Sequence, residues 1–439
     1  MNIEQIIAIV IFIIMFVFII TEKIHRAWAA MGGAVLMSAI ILRSPSAIYH
    51  SVNWETIIFI FGMMVMVEGL ALSGFFRWLC LYVSKVMGYN VIRIFIAFML
   101  LSGFLAMFID SITVLLFLTA IIIELARLLK FNPVPMIIAV VFAANTGGSA
   151  TMSGDPPNII IGTSFGFSFF DFLVNTGLIA WIGMIATLFF FYFAFRKVLQ
   201  PAGVEPIDTS QLPQPVEAII DNRLFRFSTL IFIIVVAVLV THNISGLTVG
   251  WIGVIAAGLT LLAVLWVRLT TANSGLGIAF REDLNMLKGV DWRTLFFFLG
   301  LFITVGGLEK AGVLEKLAGF IGNAAGGELF IAITMILWIS AFASAIVDNI
   351  PFAATMVPVV RALAYDQGWD LAALSWPLAL GTDIGGNGTP IGASANVVAT
   401  AIAHREGYHI SWGKYCKYAL PAMLLVMGLC NVYLLLRYA

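Results

Sequence analysis

The stretch Ala143-Ala144-Asn145-Thr146-Gly147-Gly148-Ser149-Ala150-Thr151-Met152-Ser153-Gly154-Asp155-Pro156-Pro157-Asn158 divides an otherwise apolar run into two arms, each of about ten residues. A bilayer takes about 20 helical residues to cross, so neither arm spans alone and the two together do. Glycine weakens a helix, and proline removes an amide donor and clashes with the preceding turn. The backbone therefore unwinds in mid-membrane, which is tolerated only where protein or a water-filled cavity satisfies its N–H and C=O groups. Free carbonyls together with the oxygens of Asn145, Thr146, Thr151 and Asn158 suit a hard cation such as Na+. The helix N-termini facing the break offer N–H groups to an anion.

A second such stretch reads Gly381-Thr382-Asp383-Ile384-Gly385-Gly386-Asn387-Gly388-Thr389-Pro390-Ile391-Gly392-Ala393-Ser394-Ala395-Asn396. The two fall into register at a constant separation of 238 residues, as from Trp54 to Trp292. That register pairs Gly147 and Gly148 with Gly385 and Gly386, Thr151 with Thr389, Gly154 with Gly392, and Asn158 with Asn396. It also pairs Gly62 with Gly300, Gly74 with Gly312, Ser102 with Ser340, and Asp110 with Asp348. Chance among apolar helices would match Leu or Phe; matching Trp, Asp, Asn and the glycines together marks an internal duplication. The expected units are a first repeat over 1–199, a solvated linker over 200–226 rich in proline, and a second repeat over 227–439. An amphipathic stretch near 270–290 reads as an interfacial helix.

Of the 439 residues 62% are hydrophobic and 10% charged, with mean hydropathy +1.05. A soluble domain carries about 25% charged residues, so this is an all-α polytopic membrane protein. The net charge of zero gives no case for nucleic acid. The three cysteines lack metal-ligand spacing, and the histidines fall at loops or helix ends. Ten crossings are expected, at about 4–21, 27–43, 54–73, 134–167, 175–195, 228–242, 248–267, 292–309, 372–403 and 415–436. Those at 134–167 and 372–403 are the broken helices. Each half then crosses an odd number of times, so the repeats are inverted relative to each other. With both termini outside and the linker cytoplasmic, 18 of the 23 basic residues fall inside and only Arg43, Lys310, Lys316, Arg361 and Arg437 outside, as the positive-inside rule asks. A bacterial-type inner (plasma) membrane is the expected setting.

Two further polar breaks, Asp110-Ser111-Ile112-Thr113 and Asp348-Asn349-Ile350-Pro351, stand midway through the apolar stretches 93–129 and 331–363. Ser-Ile-Thr and Asn-Ile-Pro make poor solvated loops, so these read as tips of re-entrant hairpins; two full crossings joined at a surface are the alternative. In the hairpin reading Asp110, Asp155, Asp348 and Asp383 all lie near the midplane. Each charge there costs roughly 2.5–3.5 kcal/mol. No Lys or Arg occurs in the four breaks. The acids must be protonated, capped by backbone N–H groups, or bound to a cation. Asp155, before Pro156 and Pro157, also fits a helix N-cap. Glu68 lies inside a crossing, where it is either a proton carrier or an interfacial residue.

These motifs, Asn145–Thr151, Gly154–Asn158, Asp348–Phe352, Gly385–Thr389 and Ile391–Asn396, resemble those of the ArsB/NhaD permeases of the ion transporter superfamily, nearest the branch holding the P protein and more distantly the divalent anion/sodium symporters. The resemblance covers nearly the whole chain. It implies a scaffold, a transport unit of two hairpins and two broken helices, elevator-type alternating access and a homodimer. In the anion symporters each tip carries Ser-Asn-Thr; here Asp110-Ser111-Ile112-Thr113 and Asp348-Asn349-Ile350-Pro351 add negative charge instead, which speaks against a di- or tricarboxylate.

The expected function is a secondary ion transporter coupled to H+ or Na+, as Na+/H+ exchange or proton-coupled export of a small solute. Arsenite or antimonite, another oxyanion or a carboxylate is the alternative cargo, and a passive channel the alternative mode. An intramembrane aspartyl protease would need Gly-x-Gly-Asp; Met152-Ser153-Gly154-Asp155 and Gly381-Thr382-Asp383 lack it, so no enzyme and no catalytic residue is expected. The candidate ion and substrate residues are Asp110, Ser111, Thr113, Asn145, Thr146, Gly147, Gly148, Thr151, Asp155 and Asn158 in the first repeat. In the second they are Asp348, Asn349, Pro351, Asp383, Gly385, Gly386, Asn387, Thr389, Ser394 and Asn396. Bound Na+ at these residues is the one metal expected, with no other cofactor.

Overall fold

The duplication is visible in how the helices begin and end. The structure, a computed structural model, describes residues 2–21, 23–199, 213–271 and 286–439. Among them every regular element is helical. In chain order they are α1 (Ile3–Thr21), α2 (Arg26–Met37, continued by a wider turn over Ser38–Leu42), α3 (Pro45–Ser51), α4 (Trp54–Ser73), α5 (Phe75–Val86), α6 (Val91–Ala106), α7 (Ser111–Leu129), α8 (Val134–Gly148) and α9 (Pro156–Phe165). The long α10 (Phe169–Phe195) closes the first repeat. Then come α11 (Asn222–Ser245), α12 (Val249–Thr271), α13 (Trp292–Lys310), α14 (Val313–Ala324), α15 (Leu329–Ile346), α16 (Asn349–Gln367), α17 (Leu371–Gly385), α18 (Ser394–Arg405) and α19 (Trp412–Tyr438).

Helix α4 starts because Asn53 Oδ1 accepts the Thr56 amide at 3.1 Å; its mate α13 starts because Asp291 Oδ1 accepts the Thr294 amide at 3.1 Å. Each is followed by a glycine in the left-handed region, Gly74 (φ 85°) directly after α4 and Gly312 (φ 72°) after the α13 cap residue Ala311, where a side chain would be strained. Helices α5 and α14, α6 and α15, α7 and α16, and α9 and α18 begin at the same separation.

Seven of the ten expected crossings are single helices long and apolar enough to span: α1, α4, α10, α11, α12, α13 and α19. The other three are α2 with its wider turn, which is shorter, and the two broken helices, α8 with α9 and α17 with α18. Hairpin arms α7 and α15 are also long enough to span by length and composition. Each expected hairpin is helix, tight turn, helix, with Asp110 and Asp348 at the turns. Residues 200–212 of the linker and 272–285 of the amphipathic stretch lie outside the described residues; what is described of the linker includes a short 3-10 turn over Pro215–Ala218 that packs on α5.

The helices form two groups. In one, α4 packs on α12 and α13 on α2, with α1 and α11 alongside. These crossings are close because small residues meet there: a Cβ on Gly62 would stand 2.0 Å from the Gly253 carbonyl oxygen, and one on Gly300 would stand 2.5 Å from the Ala30 carbonyl carbon. In the other group, the hairpins lie on the broken helices, α6 on α8 and α15 on α17, with α7 against α18 and α16 against α9. Exposed Ile13, Phe189, Ile233, Leu262 and Leu436 give the outer helices an apolar surface, as lipid requires.

Candidate functional site

Both hairpin tips meet at one buried carboxylate. Asp155 opens α9, as an N-cap would, but Pro156 and Pro157 have no amide hydrogen to give it. The next amide, Asn158 N–H, bonds the Asp155 carbonyl at 3.1 Å. The carboxylate is thereby released from capping. Ser111 Oγ of the first tip donates to one oxygen at 2.6 Å, and Asn349 Nδ2 of the second tip donates to the other at 2.8 Å. Ser111 and Asn349 are mates in the repeat, so Asp155, only 3% exposed, joins the equivalent points of the two halves.

The tip aspartates do serve as caps. Asp110 accepts the Thr113 amide at 2.9 Å and the Thr113 hydroxyl at 2.7 Å. Asp348 accepts the Ile350 amide at 3.1 Å and the Ser394 hydroxyl at 2.5 Å. Pro351 stands in the first turn of α16. The breaks are tied to the tips in the same way in both halves: Thr151 donates to the Met107 carbonyl and Thr389 to the Ala345 carbonyl.

Within the breaks, Asn158 Nδ2 donates to the carbonyls of Gly148 (3.2 Å) and Thr151 (3.1 Å). Its mate Asn396 donates to those of Gly386 (2.8 Å) and Thr389 (2.9 Å). These two amides hold the unwound carbonyls that a free break would expose. Asn145 Nδ2 bridges to Asn387 Oδ1 (3.0 Å) and Asn396 Oδ1 (2.8 Å), joining the first broken helix to the second. Gly147 and Gly385 let the hairpins close in: a Cβ on either would stand 2.1 Å from the Gly103 carbonyl oxygen or 2.3 Å from Ala341 Cα. Thr146 donates its hydroxyl hydrogen to the Phe142 carbonyl of its own helix at 2.8 Å. Asp383 is fully buried, and neither of its carboxylate oxygens has a hydrogen-bond partner.

The expectation that the acids have no basic partner holds for the four breaks and fails for the fold. Arg26, at the start of α2, reaches Asp348 Oδ2 at 3.2 Å, also donates to Ser394 Oγ, and gives its other nitrogen to Thr294 Oγ1 at 3.2 Å. Its guanidinium carbon lies 5.2 Å from the Phe297 ring centroid. One arginine thus links the α2/α13 group to the second hairpin and broken helix. No spacing in the sequence signals a pair 322 residues apart.

Two adjoining cavities, about 370 and 380 Å³, flank this point and share Asp291 and Ile112 in their walls. The first carries Glu68, Asp110 and Thr113, the second Arg26, Asp348 and Ser394. At the equivalent place in the other half there is direct contact instead. Asn53 Nδ2 donates to Thr163 Oγ1 at 2.8 Å, and the Thr56 and Thr163 hydroxyls lie 2.7 Å apart. The site is therefore open beside Asp291 and closed beside Asn53, although those two residues are mates.

Residues 16–381 match the protein-family model described as citrate transporter. A 46 kDa membrane protein of Mycobacterium leprae is 31% identical over 99% of both chains. The human P protein is 28% identical over 96% of this chain and 58% of its own length, a likeness the motifs anticipated. Among solved structures, the YdaH transporter of Alcanivorax borkumensis superposes with a TM-score of 0.57 at 14% identity, covering 93% of this chain and 95% of that one; this shows a shared fold. The chain is an integral membrane transporter and belongs to the citrate transporter family.

Proposed function

We propose that this chain is a secondary active transporter of ArsB/NhaD permease type, driven by Na+ or H+, with Na+/H+ exchange as its leading form. The single observation that carries this reading is Asp155, a buried acid with no basic partner within hydrogen-bonding distance among the described residues, held by both hairpin tips at once. A carboxylate so placed in a membrane needs a cation or a proton. Binding there would draw the tips and the first broken helix together as one body. That body then moves past the α2/α13 and α4/α12 helices in an elevator-type step, exchanging the open side beside Asp291 for the closed side beside Asn53. The positive-inside count assigns the open side to the cytoplasm. The unit is a homodimer in this reading, with the first-named helix group as its fixed part.

The test is a proton flux assay in liposomes holding the purified protein and a trapped pH dye, with the membrane potential clamped. An imposed Na+ gradient should change internal pH, and Asp110→Asn and Asp348→Asn should remove the response. A wild-type protein that ignores Na+ overturns the exchange reading.

A second reading, transport of a small carboxylate with a coupling cation, is favoured by Arg26 in the wall of the 380 Å³ cavity. A guanidinium beside an open cavity is a ready carboxylate partner. Arg26→Gln is expected to raise the KM for an anionic cargo about tenfold, from about 1.5 kcal/mol of charge-assisted hydrogen bonding, and to leave a Na+/H+ exchange signal in place. Labelled citrate uptake under an imposed Na+ or pH gradient reads this directly. Unchanged citrate uptake in Arg26→Gln removes the arginine from substrate binding.

A further inference from the structure

The 370 Å³ cavity has three carboxylates in its wall, Glu68, Asp110 and Asp291, and among the described residues no lysine, arginine or histidine. Two of the three serve the fold: Asp110 caps α7 and Asp291 caps α13, each through an amide and a threonine hydroxyl. Glu68 has no such use. It is half-buried, and its carboxylate makes no hydrogen bond and no ion pair among the described residues. The side chain lies against Gly289, where a Cβ would stand 2.3 Å from Glu68 Oε1. The repeat shows that this contact does not need an acid. The mates of Glu68 and Gly289 are Gly306 and Ser51, and they meet in the same way, a Cβ on Gly306 falling 2.3 Å from Ser51 Oγ. The mate of Asp291 is Asn53. Two of the three charges are therefore particular to the open side, and packing alone does not account for Glu68.

The rest of the wall is largely apolar and comes from both helix groups. Met63, Met64 and Phe298 belong to α4 and α13, and Ile109, Leu116 and Phe117 to the first hairpin. A cavity of this volume is large enough to enclose a small organic molecule. Methionines let such a wall adapt to its occupant, and phenylalanine faces attract a cation. An inorganic ion would leave the apolar wall unused, and an anion would meet three carboxylates. We propose that this cavity binds an amphiphilic organic ammonium ion, with its amine at Glu68 and its hydrocarbon body between α4 and the first hairpin. A zwitterionic lipid headgroup fits less well, because its phosphate meets the same three carboxylates. An occupant touches the fixed helices and the moving ones at once, so it holds them together and arrests transport. That consequence rests on the elevator reading proposed above; the binding does not.

The experiment is equilibrium binding of three probes of one shape to the whole protein in phosphatidylcholine nanodiscs, with the signal of empty nanodiscs subtracted. The probes are naphthylmethylammonium, naphthylmethanol and naphthoate, substituted at the same ring carbon. The ammonium should bind about tenfold tighter than the alcohol, and the naphthoate weakest of all. Glu68→Gln keeps the shape and removes the charge. It should weaken the ammonium about tenfold and leave the alcohol unchanged, which also shows that the variant is folded. Ala71→Phe narrows the cavity from α4 and should weaken ammonium and alcohol alike, with a monodisperse size-exclusion peak as its folding control. The proposal is overturned if the ammonium does not bind above empty nanodiscs, if the alcohol or the naphthoate matches it, or if either folded variant binds it as wild type does. Labelled-Na+ exchange at equal pH on both sides reads the arrest, and saturating ammonium should stop it. Binding with undiminished exchange counts against the sliding of the two helix groups and leaves the site standing.

Discussion

Asp155→Asn is expected to abolish coupled transport while the protein still folds. The amide is the shape of the carboxylate, and Ser111 can turn its hydroxyl from donor to acceptor. The oxygen of the new amide would then face Asn349 Nδ2, and its nitrogen would donate to Ser111. Every buried polar atom at that point keeps a partner, so little stability is lost. What disappears is the negative charge shared by the tips. The charge-assisted interaction with a bound cation is worth about 3 kcal/mol, which is ~100-fold in ion affinity. Proteoliposome flux should fall by at least that factor, with the melting temperature within a few degrees of wild type. Wild-type flux in Asp155→Asn would remove Asp155 from the ion path.

Gly147→Val is expected to do the opposite, destroying the fold first. A Cβ at 147 would stand 2.1 Å from the Gly103 carbonyl oxygen and 2.4 Å from Gly103 Cα. Both are backbone atoms of the facing hairpin arm α6, so no side chain can swing aside. The arm itself must move away from α8. Overpacking of a closed core costs about 1–3 kcal/mol where side chains can yield, and here it exceeds that range. Size-exclusion of a fluorescent fusion should show a collapse of the folded, monodisperse peak. Gly88→Val is the control: a Cβ there meets nothing within 4 Å, though its positive φ (64°) makes it strained, and the peak should be reduced but present.

The same two residues show what the sequence could and could not reveal. Gly147 was legible because its mate Gly385 repeats it in register; a duplication exposes positions where backbones touch, since only glycine serves at both. The breaks, the tips and the inverted halves came from the same signal. Asp155 was legible as a polar residue at a break and misleading in its role. Aspartate before proline reads as a cap, yet two successive prolines leave Asn158 N–H as the first amide, which bonds the Asp155 carbonyl, and the carboxylate crosses to both tips instead. Thr146 gives its hydroxyl hydrogen back to its own helix at the Phe142 carbonyl, a choice that hydroxyl composition cannot forecast. Arg26 was invisible as a partner because it belongs to the other helix group and meets Asp348 only after both have packed. Glu68 is settled in place rather than in role: it lines the cavity that holds Asp110.

In the proposed mechanism the flux of one ion is bound to that of another at the paired breaks. The most direct measurement fixes a pH gradient across proteoliposomes and varies the opposing Na+ gradient until internal pH stops changing, with the potential clamped. Coupled exchange predicts a balance point at a finite Na+ gradient, shifting in proportion as the pH gradient is changed and absent in Asp155→Asn. A pH gradient that decays to zero at every Na+ ratio contradicts the claim and leaves a passive pathway in its place.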